Sequence, residues 1–351
     1  MSDRRLTLDE TLARMGSAPW GVDVSHHQGG VGLDDEFADD LELDELVNAG
    51  CRFVIVKATE GRHYRDPQWH RSASALVQRG CEGPEAAEGL ACVGSYHFAR
   101  IDSDSSLEDA RAEADDHVRA LESIPGWLDL PGRAWGDFEW HGSLDPKTTH
   151  DAARRNVEWS DAWATRVDEL LGRESGIYTG INVWRGRFAS SDVHLHRPLW
   201  AARYIDPPGR APAIPVGPDK TPWEPLIHQW TGEATLPGAR RRIDANVIQG
   251  DAVAGLRRLA GEPARLRPLA WLTKLLPPRL PTLELEPGTR GPLVASVQGL
   301  LLARGETPAG LTDARGNPDG HLGPQTAAAI ARHLGQRTEI DARGWLELID
   351  P

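Results

Sequence analysis

Lysine is scarce in this 351-residue chain. Four of its 39 cationic side chains are Lys (Lys57, Lys147, Lys220 and Lys274) and the rest are Arg, a bias we read as genomic composition. Positive charge is short as well. Asp and Glu number 52, which leaves a formal net charge of −13. A nucleic-acid binder usually carries a basic patch, and no basic run is evident, so nucleic acid is not an expected partner. No stretch reaches the ~18 consecutive apolar residues of a membrane span, so no membrane partner is expected either. The first twenty residues lack the ~7–15-residue apolar core of a secretory signal. The expectation is synthesis in the cytoplasm without a signal peptide. The three cysteines, Cys51, Cys81 and Cys92, cannot close a disulfide framework. Cys51 and Cys92 each open an apolar run and read as small buried hydrophobes in a reducing compartment. Nothing around them suggests the lowered pKa of a nucleophilic thiol. Tyr and Phe are few, at 4 and 5, against 13 Trp. That surplus fits either buried barrel aromatics or rings that stack on sugars. Hydrophobic content of 40% and charged content of 26% exclude wholesale disorder.

Strand-like and helix-like segments alternate after a short helical lead-in over residues 1–18. The runs 20–25, 52–58 (RFVIVKA), 91–98 (ACVGSYHF), 133–140 (RAWGDFEW) and 175–179 (SGIYT) read as strands. Helical spacing follows each of them, over 41–49, 67–79, 106–122, 147–171 and 182–188, with Gly50, Gly80 and Gly172 as stops. Three more strands, 198–204, 225–231 and 242–247, are joined by Pro/Gly-rich loops. Eight strands, the first five followed by helices, predict an α/β fold: an irregular TIM-like (β/α) barrel over 19–260. A doubly wound open sheet is the competing architecture. The barrel is preferred because ligand-type residues recur at the ends of strands far apart in sequence. Residues 261–283 are Pro-rich, carry a net +3, and read as a linker. Residues 284–351 then form a small all-α C-terminal domain.

Asp137 and Glu139 lie two apart on RAWGDFEW, which puts both carboxylates on one face of a strand. In a barrel that face is the lumen, where unpaired acids are costly. Two close carboxylates split their pKa values, so one stays ionised while the other keeps a proton. Glycoside cleavage needs such a pair: an acid for the leaving oxygen and an anion for the oxocarbenium-like centre. A D-x-E on an exposed strand would have no such role. Asp23 in WGVDVS and Asp244 in RIDANV are further acids inside apolar runs. Strands one and eight are neighbours in a closed barrel, so Asp23 and Asp244 are expected side by side.

GVDVSHHQG (21–29), FVIVKATEG (53–61), GSYHFAR (94–100), DFE (137–139), GIYTG (176–180), LWAARY (199–204), IHQWT (227–231) and IDANV (243–247) together resemble the family 25 glycoside hydrolases, the Chalaropsis-type lysozymes or N-acetylmuramidases. The matches keep the family's order over roughly residues 19–250. The resemblance implies a β/α barrel that cleaves the β-1,4 bond between N-acetylmuramic acid and N-acetylglucosamine in peptidoglycan, with no cofactor. By position it implies Glu139 as general acid. Asp137 becomes the nucleophile, or the group that orients the substrate's own acetamido, and Asp23 and Asp244 become supports for charge and geometry. Gly136 departs from the pattern, since an apolar branched residue usually precedes the acidic pair; this predicts local loosening of the strand. Aromatics near the same strand ends, Tyr96, Trp140, Tyr178, Trp200 and Trp230, are candidates for a sugar floor, with Gln229 of IHQWT as a further substrate-binding candidate. Core packing is the alternative for each ring.

The histidines His26, His27, His63, His97 and His228 raise a zinc amidase as an alternative, but no H-E-x-x-H or comparable spacing is present. We read them as hydrogen-bonding rim or core residues and expect no metal. The segments LEPGTRGPLVASVQGLLLARG (285–305), NPDGHLGPQTAAAIARHLG (317–335) and IDARGWLELI (340–349) resemble the small three-helix peptidoglycan-binding domain. Asp319 and Gly320 form its turn, and Thr326 sits in the helix after Pro324. His321 stands where a hydrophobic or aromatic residue is usual. A bundle that merely packs on the barrel is the alternative. The combined expectation is a wall-lytic enzyme, released through a holin-type pore as a phage endolysin or delivered by a secretion machine. A non-catalytic glycan-binding barrel and a glycosidase acting on a chitin-type polymer are the competing functions.

Overall fold

The computed structural model describes residues 7–32, 41–101, 106–139, 150–204 and 207–261, and then 283–286, 288–290, 294, 297–298, 301, 311, 320–334 and 339–340. The chain divides into two compact units, Met1–Ala264 and Arg265–Pro351.

The first unit opens with α1 (Leu8–Met15). Thr7 caps it reciprocally: Glu10 N–H donates to Thr7 Oγ1, and Thr7 N–H donates to the Glu10 carboxylate. Then follow β1 (Trp20–Val24), β2 (Val31–Gly32), β3 (Leu41–Glu42), α2 (Leu43–Asn48), β4 (Cys51–Glu60), β5 (Tyr64–Arg65), α3 (Trp69–Arg79), β6 (Cys92–Phe98), α4 (Leu107–Glu122), β7 (Gly132–Asp137), α5 (His150–Leu171), β8 (Gly176–Gly180) and α6 (Ile181–Arg187). The remainder is β9 (Leu199–Ala202), β10 (Ile214–Val216), β11 (Thr221–Trp223), β12 (Pro225–Ala234), β13 (Ile243–Ile248) and α7 (Ala252–Leu259).

The strands β1, β4, β6, β7, β8, β9, β12 and β13 form a closed ring, because β1 pairs with both β4 and β13. Seven of them run parallel, and β13 runs against both neighbours. The barrel is therefore of the TIM-like type, with its irregularity in the last strand. The short β5 is a hairpin annex on β4, and β10 and β11 form a separate ribbon in the loop-rich final third. None of these additions carries a strong sequence pattern.

Alternation along the strands builds two apolar layers. Val22, Val24, Val54, Val56, Phe138, Ile177 and Ala201 point out toward the helices and join Trp69, Trp159, Trp163 and Trp184. Phe53, Ile55, Trp135, Tyr178 and Trp200 fill the lumen, closed off below by Leu256 and Leu259 of α7. Every Trp among the described residues is buried. The Trp surplus is thus core packing there, and each ring removes a large apolar area from water. Gly136 does not loosen β7. It pairs with His97 on one side and Ile177 on the other. A Cβ at this position would stand 2.8 Å from the rings of Phe138 and Trp163, so those rings occupy the space a branched residue would fill.

The second unit has its own small core of Leu283, Val294, Val297, Leu301, Leu311, Leu322, Ala329, Ile330 and Ile340. It is a small helical unit containing the helix Pro324–Leu334, with a two-residue antiparallel pairing of Leu283–Glu284 and Glu339–Ile340 added. The linker expected at 261–283 lies outside the described residues apart from its two ends.

Candidate active site

Four carboxyl groups converge in the upper lumen. Asp23 on β1 and Asp244 on β13 are direct partners in the antiparallel register, so their side chains emerge on the same face. Asp137 is the last residue of β7, and Glu139 follows two residues later, beyond the strand. The alternation persists past the strand end because Phe138 stays anchored in the outer layer. Its N–H donates to the Tyr178 carbonyl (3.0 Å), and its own carbonyl accepts from the Thr179 hydroxyl (2.8 Å). Asp137 and Glu139 consequently share the lumen face, as the two-residue spacing predicts, although only the first lies on regular strand.

Amides orient Asp23. Its Oδ2 accepts from Gln229 Nε2 (2.9 Å) and Asn246 Nδ2 (2.7 Å). Neither amide is free to flip. Trp200 Nε1 donates to Asn246 Oδ1 (2.7 Å), and the Tyr178 and Tyr204 hydroxyls donate to Gln229 Oε1 (2.8 and 3.3 Å). Asp244 accepts from Gln28 Nε2 (3.3 Å), whose Oε1 is in turn held by the Ser25 N–H and hydroxyl.

Burial dominates the electrostatics. It pushes Asp23 up to about 6, although the two amide hydrogen bonds pull the other way. Asp244 is pushed up to about 8, by burial first and then by the charges of Asp23 and Glu139. Asp137 is raised well above the ordinary carboxylate range by burial and then by Glu139, and Glu139 is raised by burial. The charge of Glu139 is one of the causes that raise Asp137, so an ionised Glu139 disfavours ionising Asp137. The opposing cation is Lys57, buried on β4 and bonded to Glu60 (2.5 Å), which also accepts from Arg100 Nε (2.8 Å). Lys57 lowers the pKa of both members of the pair.

The sugar-floor candidates separate. Tyr96 is half-buried at the lumen wall, and Tyr178 is buried with its hydroxyl bonded to Gln229. Trp200 lies beneath them, its ring edge-on to Tyr178 (4.4 Å between centroids) and Trp135 (5.7 Å). Trp200 is therefore a floor support, fully covered, and not a stacking surface. Trp230 is a correction: it is buried in the outer layer with Val22 and Phe138, at a register shift of β12 against β13 between Gln229 and Thr231. Trp140 lies outside the described residues. Tyr204, 64% exposed with its hydroxyl 3.3 Å from Gln229 Oε1, offers an open ring at the mouth that sequence reasoning missed. Tyr64, 39% exposed, flanks the Lys57 ammonium at 5.8 Å.

Lys57, Asn246 and Gln28 were also missed. The signal for the first two was available, a polar residue inside an apolar strand, as for Asp23. Gln28 gave none, since it acts from a turn.

His26, His97 and His228 are hydrogen-bonded through their rings. His97 is buried between Thr59 (2.8 Å) and Glu113 (2.7 Å), and burial pushes its pKa down to about 3. His228 Nε2 donates to the Arg203 carbonyl (2.6 Å) and its Nδ1 accepts from Gly209 N–H (3.0 Å). His26 bonds to Asp66 (2.7 Å) and lies against His27. The exposed His63 lies 3.5 Å from Asp116. Burial pushes the Cys51 and Cys81 thiols up to about 12 and raises Cys92 as well, the opposite of the lowered pKa that activates a thiol.

A closed β/α barrel with paired acids on its fourth ring strand now has a counterpart among known proteins. The profile of glycosyl hydrolases family 25 matches residues 22–239, more than half of the sequence. The chain belongs to this family. The matched span includes Asp23, Asp137 and Glu139 and stops five residues short of Asp244. An N,O-diacetylmuramidase of Chalaropsis sp is 30% identical over 212 residues, 58% of this chain and 86% of that protein. Lysozyme M1 of Streptomyces globisporus is 26% identical over 249 residues, 70% of this chain and 72% of that protein. The bacterial lysozyme from Streptomyces coelicolor shares the fold, with a TM-score of 0.51 at 22% identity over 70% of this chain and 98% of that one.

Proposed function

We propose that this family 25 enzyme is an N-acetylmuramidase, hydrolysing the β-1,4 bond between N-acetylmuramic acid and N-acetylglucosamine in bacterial peptidoglycan. The observation that carries the reading is the buried Asp137–Glu139 pair at the mouth end of β7, opposite Asp23 and Asp244, in a family whose relatives named above are muramidases and lysozymes.

Glu139, the less buried of the pair, is the general acid. Its proton passes to the glycosidic oxygen as the C1–O bond breaks. Asp137 supports the positive charge that develops at C1, either as nucleophile or by holding the substrate acetamido. Its Oδ1 is buried without a hydrogen-bond partner among the described residues, an unmet acceptor in the lumen. Glu139, then ionised, takes a proton from the water that completes hydrolysis. Asp23 and Asp244 hold the amide frame around the pair, and Tyr96, Tyr178 and Tyr204 offer rings and hydroxyls to the sugars.

The C-terminal unit is proposed to bind the wall polymer. The reading rests on the resemblance of its motif, whose residues hold one another in place. Gln298 accepts from Gly320 N–H (2.8 Å) and donates to the His321 carbonyl and Thr326 hydroxyl (both 3.1 Å), so the helix glutamine fastens the glycine turn to the next helix.

Mass spectrometry of borohydride-reduced peptidoglycan digests tests the reaction. Muramitol at the new ends is expected. Glucosaminitol would assign the other glycosidic bond, and freed peptide would assign an amidase. Absence of any product, with binding retained, would make the barrel a lectin.

A further inference from the structure

The ladder of β7 ends at Asp137, yet the acid assigned to proton transfer comes two residues later. Its neighbours are held atom by atom. The Asp137 carbonyl accepts from Ala99 N–H (3.0 Å), and Phe138 is tied through both its N–H and its carbonyl to β8. At Glu139 no strand partner remains among the described residues. The backbone carbonyl of Glu139 instead accepts from the Arg187 guanidinium. The second terminal nitrogen of the same guanidinium donates to the Ile101 carbonyl (2.9 Å), just past the end of β6. One planar group thus bridges the mouth ends of two adjacent barrel strands.

Arg187 is anchored from behind. It is the last residue of α6, and its own carbonyl accepts from Nδ2 of buried Asn156 on α5 (3.0 Å). Burial lowers its pKa, but a guanidinium keeps its charge at any working pH. Its fork of fixed donors can serve two carbonyls at once, which an ammonium on a flexible stem does not reproduce.

We propose that Arg187 is a positioning residue for the general acid: it clamps the Glu139 backbone to the end of the neighbouring strand and so sets where the carboxyl meets the leaving oxygen. The inference rests on the reading of Glu139 as that acid. Arg187 need not touch substrate. Its influence is on the chemical step, since a shift of ~1 Å in a reacting group costs about 10²-fold in rate.

The test compares full-length Arg187→Ala and Arg187→Lys with the parent and with Glu139→Gln on soluble glycan strands. In Arg187→Ala we expect kcat to fall ~10–100-fold while KM moves less than ~3-fold, because transition-state geometry and not ground-state binding is lost. Arg187→Lys should lie between, retaining one of the two contacts. Added methylguanidinium should restore part of kcat in Arg187→Ala and none in Glu139→Gln. A kcat within ~2-fold of the parent in Arg187→Ala, beside a collapsed Glu139→Gln, would overturn the proposal and leave the acid assignment standing. So would a loss in Arg187→Ala that tracks the unfolded fraction in near-UV circular dichroism and resists methylguanidinium. Full activity in Glu139→Gln would remove the acid reading itself, and the clamp with it.

Discussion

Asp23 and Asp244 face each other across the antiparallel seam of β1 and β13, and both carboxyls are held above their ordinary pKa by burial. Placing two acids in register in a lumen destabilises the fold when both are ionised. Amides relieve part of the cost, two on Asp23 and one on Asp244. A constellation that strains the fold in this way belongs to function, and its removal separates activity from stability.

Removing the proton donor should be the most damaging change to turnover. Glu139→Gln keeps shape and volume and is expected to lose ~10²–10⁴-fold or more in rate on cell walls. Asp137→Asn should be similarly damaging, with Asp23→Asn and Asp244→Asn less so. Reducing-end release from purified peptidoglycan measures the effect. Near-parental activity of Glu139→Gln would take the acid role away from it.

Asp137 and Glu139 were legible in the sequence because D-x-E on an alternating run has one geometric meaning. Asp23 and Asp244 were legible as acids inside apolar runs, and their adjacency followed from closing an eight-stranded ring. The role of Gly136 was not legible, since the rings that fill its missing side chain come from Phe138 and from Trp163, which lies on α5. Trp230 misled for a related reason: proximity to a site motif does not say which face of a strand a residue takes. Arg187 carries no local signal at all, because it acts on backbone carbonyls that only the fold brings within reach.

Asp244→Asn should stabilise the protein as it loses activity. The carboxyl is pushed up to about 8 in the folded barrel, against an ordinary value of 3.8. Below pH ~4 both folded and unfolded chains hold the proton and the group costs nothing. As pH rises toward 8 the unfolded chain ionises freely while the folded one retains its proton, so stability is lost across that window. The melting temperature of Asp244→Asn minus that of the parent should therefore grow steadily between pH 4.5 and pH 8, roughly the span of the two pKa values. A difference independent of pH would show that Asp244 is not held protonated by the fold.

A chain truncated at Ala264 should fold and keep turnover on soluble wall fragments, because the ring closes at β13 and the two units have separate cores. Its binding to intact sacculi should be weaker than that of the full chain if residues 284–351 hold the wall. Co-sedimentation with purified sacculi compares the two. Equal binding would assign those residues a packing role only.

Lys57 should set the pH of the rate optimum. The acidic pair predicts a bell-shaped profile. Its acid limb belongs to the carboxyl that must ionise, and its basic limb to the one that must stay protonated. Burial raises both limbs, and Lys57 opposes that by favouring the ionised forms of Asp137 and Glu139. Lys57→Met keeps most of the side-chain volume and removes the charge. Both limbs should then move to higher pH and the optimum with them, by about one unit, the usual scale for loss of one partly screened charge. Glu60 adds to the shift. It pairs with Lys57 at 2.5 Å, so Lys57→Met also leaves the Glu60 carboxylate facing Arg100 alone of these two cations, and that added negative charge pushes the pair in the same direction. The reciprocal change, Glu60→Gln, frees the ammonium and should move the optimum the opposite way. Profiles of kcat measured on soluble glycan strands decide it: opposite displacements by the two variants support an electrostatic role for Lys57, whereas equal losses of rate with unmoved limbs would make it a packing residue beneath Phe98 and Tyr64.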